Sequence, residues 1–164
     1  AIIEKLIICG SRRPGIRCRQ WREAAAEYLK RLQPYARITI TELQDEPLPA
    51  QASPAEVVAI KEKEGQRILA ATGDGHYVIA LDPAGEHISS EGLAIAFDSL
   101  AVRGHSRITF IIGGAAGLAP SVIKRADRRL SFSDLTFTHQ MIRIFLLEQI
   151  YRAFKIWRGE KYHL

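Results

Sequence analysis

Cysteine is scarce. The 164 residues contain two, Cys9 and Cys18, with no C-x-x-C spacing. This excludes a disulfide framework and a thiolate zinc site; both cysteines are expected as reduced thiols, Cys9 buried at a strand end. No metal-ligand cluster is visible, so no metal is expected. Long apolar runs are also missing. The longest uncharged stretch, Ile108 to Ile123, falls short of the ~20 residues a spanning helix needs, and it holds three glycines and a proline. Glu4 and Lys5 interrupt the apolar run at the N-terminus. Neither a signal peptide nor a membrane partner is therefore expected, and the location is expected to be cytoplasmic. G-x-G-x-x-G is absent, and no Lys-Ser or Lys-Thr pair follows the one glycine-rich turn, which argues against a standard dinucleotide or triphosphate site. Repeats and low-complexity segments are absent too, so residues 1–164 are read as one domain.

What is present is ordinary in bulk and informative in detail. The hydrophobic fraction is 47% and the charged fraction 25%, typical of a globular chain. The net charge of +5 favours an anionic partner. The centre of the chain is Arg107 to Pro120, RITFIIGGAAGLAP. Ile108, Phe110, Ile111 and Ile112 suit a strand covered on both faces. Gly113, Gly114 and Gly117 follow, and Pro120 suits a first helical turn. In an open α/β sheet this turn lies at the carboxyl edge, where ligands bind. Taken alone, these glycines fit either a bend or a ligand cradle.

The remaining elements alternate around this stretch. Ile2 to Cys9 reads as a strand, Gly10 to Gly15 as a loop and Cys18 to Leu32 as a helix, with Arg19, Arg22, Glu23, Lys30 and Arg31 on a solvated side. Arg37 to Leu43 alternates as a half-exposed strand, and Asp45 to Ala52 is a linker. Ser53-Pro54-Ala55-Glu56 forms a capping box that opens a helix to about Ala71. That helix buries Val57, Ile60, Ile68 and Leu69 and leaves Lys61, Glu62, Lys63 and Glu64 in solvent. His76 to Asp82 is a strand and Pro83 to His87 a turn. A helix then runs to Val102, capped by Ser90 or a neighbour. After the glycine turn come a short helix, Ser121 to Arg128, a strand, Arg129 to Ser133, and a long helix, Thr138 to Trp157. The pattern predicts an α/β fold, a doubly wound, mainly parallel sheet with helices on both faces. The long helix is apolar nearly all round, which suggests a subunit interface as well as the sheet.

Three stretches are expected to meet at the carboxyl edge: Leu81-Asp82-Pro83, the glycine turn, and Ser131 to His139. His139 is a candidate base or anion contact. Arg143, one turn later, is placed either to hold phosphate or to pair with an acid. The tail, Trp157 to Leu164, mixes basic and aromatic groups in a way that suits RNA contact, though a frayed polar terminus has the same composition.

Together, LD-P, IIGGxxGL, LSFSDLTFTHQMIRIFLLEQIYRAFKI and a closing YH resemble the SPOUT-type methyltransferases, closest to the RlmH family. The resemblance implies methyl transfer from S-adenosyl-L-methionine to N3 of a pseudouridine in large-subunit ribosomal RNA, on assembled ribosomes. It implies a C-terminal trefoil knot and a homodimer. The implied cofactor pocket is Leu81, Gly113, Gly114, Phe132, Ser133, Asp134, Leu135, Thr136 and Phe137. The implied catalytic set is His139 as base, Arg143 on phosphate, and Tyr162 and His163 on the substrate side, from either subunit. Arg12, Arg13, Arg17, Lys124, Arg125, Arg128, Arg129 and Lys161 would contact phosphates, so that binding falls steeply with salt. The family usually has Pro-Glu where Ala115-Ala116 stands here, and Leu-Pro-His-Pro where this chain has Phe137-Thr138-His139-Gln140. Two alternatives stay open: a catalytically inactive RNA- or ribosome-binding factor on the same fold, and a flavodoxin-like small-molecule enzyme.

Overall fold

The computed structural model describes residues 3–10 and 16–162. Residues 11–15 of the expected first loop, with Arg12 and Arg13, and also His163, lie outside the described residues, as do the side chains of Arg17 and Cys18.

The strands are β1 (Ile3–Cys9), β2 (Thr39–Leu43), β3 (Tyr77–His87), β4 (Ile108–Ile112) and β5 (Arg128–Ser131), and the helices are α1 (Ile16–Leu32), α2 (Pro54–Ala71), α3 (Ser90–Val102), α4 (Pro120–Arg125) and α5 (His139–Trp157). The strands form one parallel sheet in the order β2-β1-β4-β3-β5. Every residue of β4 is buried, Thr109 included, whose hydroxyl is hydrogen-bonded to His76 Nδ1 (2.8 Å).

Strand parity sorts the core onto two faces. Leu6 and Ile8 of β1, Ile79 of β3 and Phe110 of β4 meet α1, α3 and α5 on one side. Ile7 and Cys9 of β1, Val78 and Ala80 of β3 and Ile111 of β4 meet α2 and α4 on the other. Phe97 of α3 lies edge-on to Phe110, ring centroids 6.4 Å apart, and both are fully buried. Burial of each such ring contributes about 1.5–3 kcal/mol before packing terms.

Local signals place most helix ends. Glu56 N–H donates to Ser53 Oγ (3.2 Å) and Ser53 N–H to Glu56 Oε2 (2.7 Å), the expected capping box of α2. Ser89 rather than Ser90 caps α3, and Thr138 caps α5. The solvated side of α1 carries the pairs Arg19–Glu23 and Arg31–Glu27, both at 2.9 Å.

Two of the boundaries that differ from the sequence reading bear on the site. Pro83 to His87 is not a separate turn: β3 continues to His87, and Glu86 and His87 pair with Leu130 and Ser131 across a register shift. Partner backbone, rather than local propensity, holds this segment extended. The short helix stops at Arg125, because Asp127 N–H donates to Val78 O (2.8 Å) and draws the chain into β5. No described helix is long and apolar enough to cross a membrane.

Candidate active site

The carboxyl ends of β3, β4 and β5 and the first turn of α5 enclose a cavity of about 450 Å³, within the range usual for small-molecule sites. Leu81, Asp82 and Pro83 come from β3, Ile112 from β4, and Gly113, Gly114, Ala115, Gly117 and Leu118 from the turn behind it. Leu130 to Ser133, Leu135, Thr136 and Phe137 close the opposite wall, with His139 and Ile142 at the start of α5. The three stretches expected at the carboxyl edge therefore do meet. A second cavity, of about 370 Å³, shares Leu130, Ser131, Phe132 and Phe137 and is completed by α3 and by Phe145 and Gln149 of α5.

Gly117 has a φ of +85°, a conformation costly for any residue with a Cβ. Its N–H donates to Gly114 O (3.0 Å), which closes the turn. The facing loop is tied by short local bonds: Ser131 Oγ donates to Ser133 O (3.1 Å), and Leu135 N–H donates to Ser133 Oγ (3.0 Å).

Of the cofactor residues named from the sequence, Leu81, Gly113, Gly114, Phe132, Ser133, Leu135, Thr136 and Phe137 line the cavity. Asp134 does not. Its side chain is 92% exposed and turns away to His87 (Oδ1 to Nε2, 3.4 Å). A carboxylate in a tight loop gains more from solvent than from an apolar wall.

His139 lies half-buried at the cavity, over Gly10. Burial lowers its pKa from the ordinary 6.5, against a smaller opposing effect of Asp45. The ring is therefore neutral near neutral pH and free to accept a proton.

Arg143 is not offered to a phosphate. It is 5% exposed, and its Nη2 pairs with Glu42 Oε1 of β2 at 2.7 Å. Its helix face turns toward the sheet, so the acid partner replaces the phosphate. Tyr162 packs on the C-terminal half of α5, where its hydroxyl donates to Glu148 Oε1 (2.8 Å) under the Arg152 guanidinium, 4.1 Å from the ring centre. Burial first, then Glu148, pushes its pKa up to about 12, so it is a donor and not a base. It does not line the cavity of its own chain. Among the proposed phosphate contacts, Arg125 pairs with Asp127, Arg128 with Glu86 and Arg129 with Asp82, while Lys124 and Lys161 are exposed.

Glu64 was missed. Read as solvated, it is 2% exposed on α2, directly behind Gly114. The signal was available: Glu64 stands one helical turn from both Ile60 and Ile68, on the stripe that faces the sheet. Among the described residues, no group of three or more His, Cys, Asp or Glu is placed to hold a metal ion.

Comparison with known proteins decides the family. The model for "Predicted SPOUT methyltransferase" matches residues 5–163. The chain belongs to the SPOUT methyltransferase family. Similar proteins include a Ribosomal RNA large subunit methyltransferase H of Halothermothrix orenii, 53% identical over 137 residues, 84% of this chain and 86% of the relative. One of the same name from Carboxydothermus hydrogenoformans is 51% identical over 148 residues, 90% of this chain and 93% of the relative. Among solved structures, a putative methylase family protein from Neisseria gonorrhoeae superposes with a TM-score of 0.53 at 16% identity, over 99% of this chain and 86% of that one. A probable methylase family protein from Haemophilus influenzae gives 0.54 at 13% identity, over 99% and 70%. At those identities the superpositions support the SPOUT fold alone.

Proposed function

We propose that this protein transfers a methyl group from S-adenosyl-L-methionine to N3 of a pseudouridine in large-subunit ribosomal RNA. It acts as a homodimer on the large ribosomal subunit or the whole ribosome, with its C-terminal segment threaded as a trefoil knot. The observation that carries this reading is the cavity itself, where the glycine turn and the Ser131–Phe137 loop meet a half-buried His139. The names of the relatives, at about half identity over most of the chain, supply the ribosomal RNA substrate.

The cavity suits the cofactor by its donor set. Leu81, Ile112, Leu118, Leu130 and Ile142 provide apolar walls for a flat base, and the glycine turn leaves backbone groups within reach of polar edges. When bound, the cofactor supplies an activated methyl on a sulfonium for a single in-line displacement. The chain's own residues then align the reactants, which accounts for most of the acceleration in such a transfer. His139 accepts the proton of the N3–H at an imidazole nitrogen, since the protonated imide is a poor nucleophile. Tyr162 and His163 shape the substrate side of a partner subunit's pocket. Arg143 holds α5 to β2 through Glu42 and so fixes the direction of the first turn that carries His139.

The test is a calorimetric titration with S-adenosylmethionine, followed by labelled-methyl transfer to intact ribosomes and to free RNA. Saturable binding with transfer to ribosomes is the expected result. Ribosome binding that falls with salt but comes without methyl transfer would instead identify an inactive factor on the same fold, the reading that Ala115-Ala116 leaves open.

A further inference from the structure

Glu64 combines three features that neither packing nor the mechanism above uses. It is 2% exposed. Its Oε1 accepts from Glu46 N–H at 2.9 Å, while its buried Oε2 has no strong donor, the weakly donating Cys9 thiol being the group set against the carboxyl. Finally, that oxygen faces the cavity wall: a Cβ on Gly114 would lie 2.8 Å from Oε2, and Gly114 itself lines the cavity. The carboxyl is therefore separated from the cavity by the thickness of one glycine.

Three other carboxylates of this region have cationic partners. Asp82 has Arg129 at 3.3 Å, Glu42 has Arg143 at 2.7 Å, and Glu46 has Arg67. Among the described residues, no ion pair answers Glu64. A buried carboxylate without a cationic partner is unfavourable unless a proton neutralises it or a positive charge approaches it. A cation in the cavity does so across a wall of low polarity, where Coulomb attraction is weakly screened.

Methyl transfer changes the charge in that cavity. The S–CH3 bond breaks, the N–CH3 bond forms, the bonding pair stays on sulfur, and the N–H proton passes to the base. A cationic sulfonium becomes a neutral thioether. We propose that Glu64 is a buried counter-charge behind the cofactor pocket that favours the cationic methyl donor over its neutral-sulfur product. The inference rests on the methyl-transfer reading above and assigns a role to a residue outside the pocket lining.

The groups facing Glu64 set its pH dependence. Cys9 of β1 lies against it, and that thiol is pushed up to about 12 by burial, then by Glu64, so it stays neutral. Burial raises the Glu64 carboxyl above the ordinary value; the Glu46 N–H bond opposes this, the charges of Asp45 and Glu46 add to it, and Arg67 of α2 opposes it. Lys61 of α2 approaches the same turn at Gly117, and His139 lies across Gly10. The Glu64 charge exists above its raised pKa and is lost below it. Preference for donor over product therefore grows as pH rises through that value.

The experiment is calorimetric titration of the full chain with S-adenosylmethionine and with S-adenosylhomocysteine, from mildly acid to mildly alkaline pH, for wild type, Glu64→Gln and Glu64→Asp. Glu64→Gln should weaken donor binding roughly fivefold to thirtyfold and flatten its pH dependence, while product binding changes by less than about twofold. Glu64→Asp should restore the preference in part. Equal weakening of both ligands would reduce Glu64 to a structural support and overturn the inference, as would no change in either. If Glu64→Gln fails to fold, the wild-type series decides: a donor-to-product ratio that does not move with pH overturns it. If the wild-type chain binds neither ligand, the methyl-transfer reading fails first, and this inference with it.

Discussion

Gly114→Ala tests the packing behind the glycine turn in a way whose sign can be worked out. Gly114 does not have a positive φ, so alanine fits its backbone. On that ground alone the substitution would stabilise the fold by ~0.4–1 kcal/mol, through the unfolded chain. The new methyl, however, meets Glu64 Oε2 at 2.8 Å and Oε1 at 3.0 Å. Glu64 has nowhere to go: it is 2% exposed, and Glu46 N–H holds Oε1. Overpacking of this kind costs about 1–3 kcal/mol, so the net effect is destabilising. At roughly 2–4 °C per kcal/mol for a chain of this size, Tm should fall by several degrees in a thermal melt. The same substitution in a Glu64→Ala background meets no carboxyl and should raise Tm. A Gly114→Ala effect that is equal in both backgrounds would refute the contact.

Replacing His139 with Ala should lower methyl transfer by roughly 10²–10⁴-fold while cofactor binding changes little, and unchanged transfer would remove it from the mechanism. Because burial holds the His139 pKa below 6.5, the wild-type rate should fall only as pH drops below that value; a pH–rate profile checks this. Arg143→Ala should cost about 1–3 kcal/mol in denaturant unfolding, because Glu42 loses the partner that stood at 2.7 Å. Ser53→Ala should cost about 1 kcal/mol by the same measurement, through loss of the cap on Glu56 N–H.

The elements legible in the sequence were those whose cause is local. Ser53 and Glu56 cap α2 with groups three residues apart. The run from Ile108 to Ile112 reads as a two-sided strand because four of its five positions are apolar, on both parities, and Thr109 is β-branched. The cavity was legible for a related reason. The glycine turn and the serine-rich loop each follow a strand, the LD-P stretch lies in β3 where the neighbouring strand β4 ends, and a parallel sheet gathers its carboxyl ends on one edge. Nine of the thirteen cofactor and catalytic residues named in advance line that cavity, including His139.

What the sequence hid depends on a partner distant along the chain. Pro83 to His87 carries turn residues, and only pairing with Leu130 and Ser131 makes it strand. Arg143 has the charge of a phosphate ligand, but Glu42, on a strand far earlier in the chain, claims it. Lys61 to Glu64 is a charged run, as solvated helix faces are, and Glu62 and Lys63 are exposed. Glu64 alone of the four is fully buried, because α2 lies against the glycine turn and Gly114 has no side chain to exclude a carboxyl. Periodicity and composition therefore determined which segments fold and where the cavity forms. Burial, ion pairing and the ionisation of single groups were decided only when the sheet brought separate segments into contact, because each depends on the dielectric and the neighbours that packing supplies.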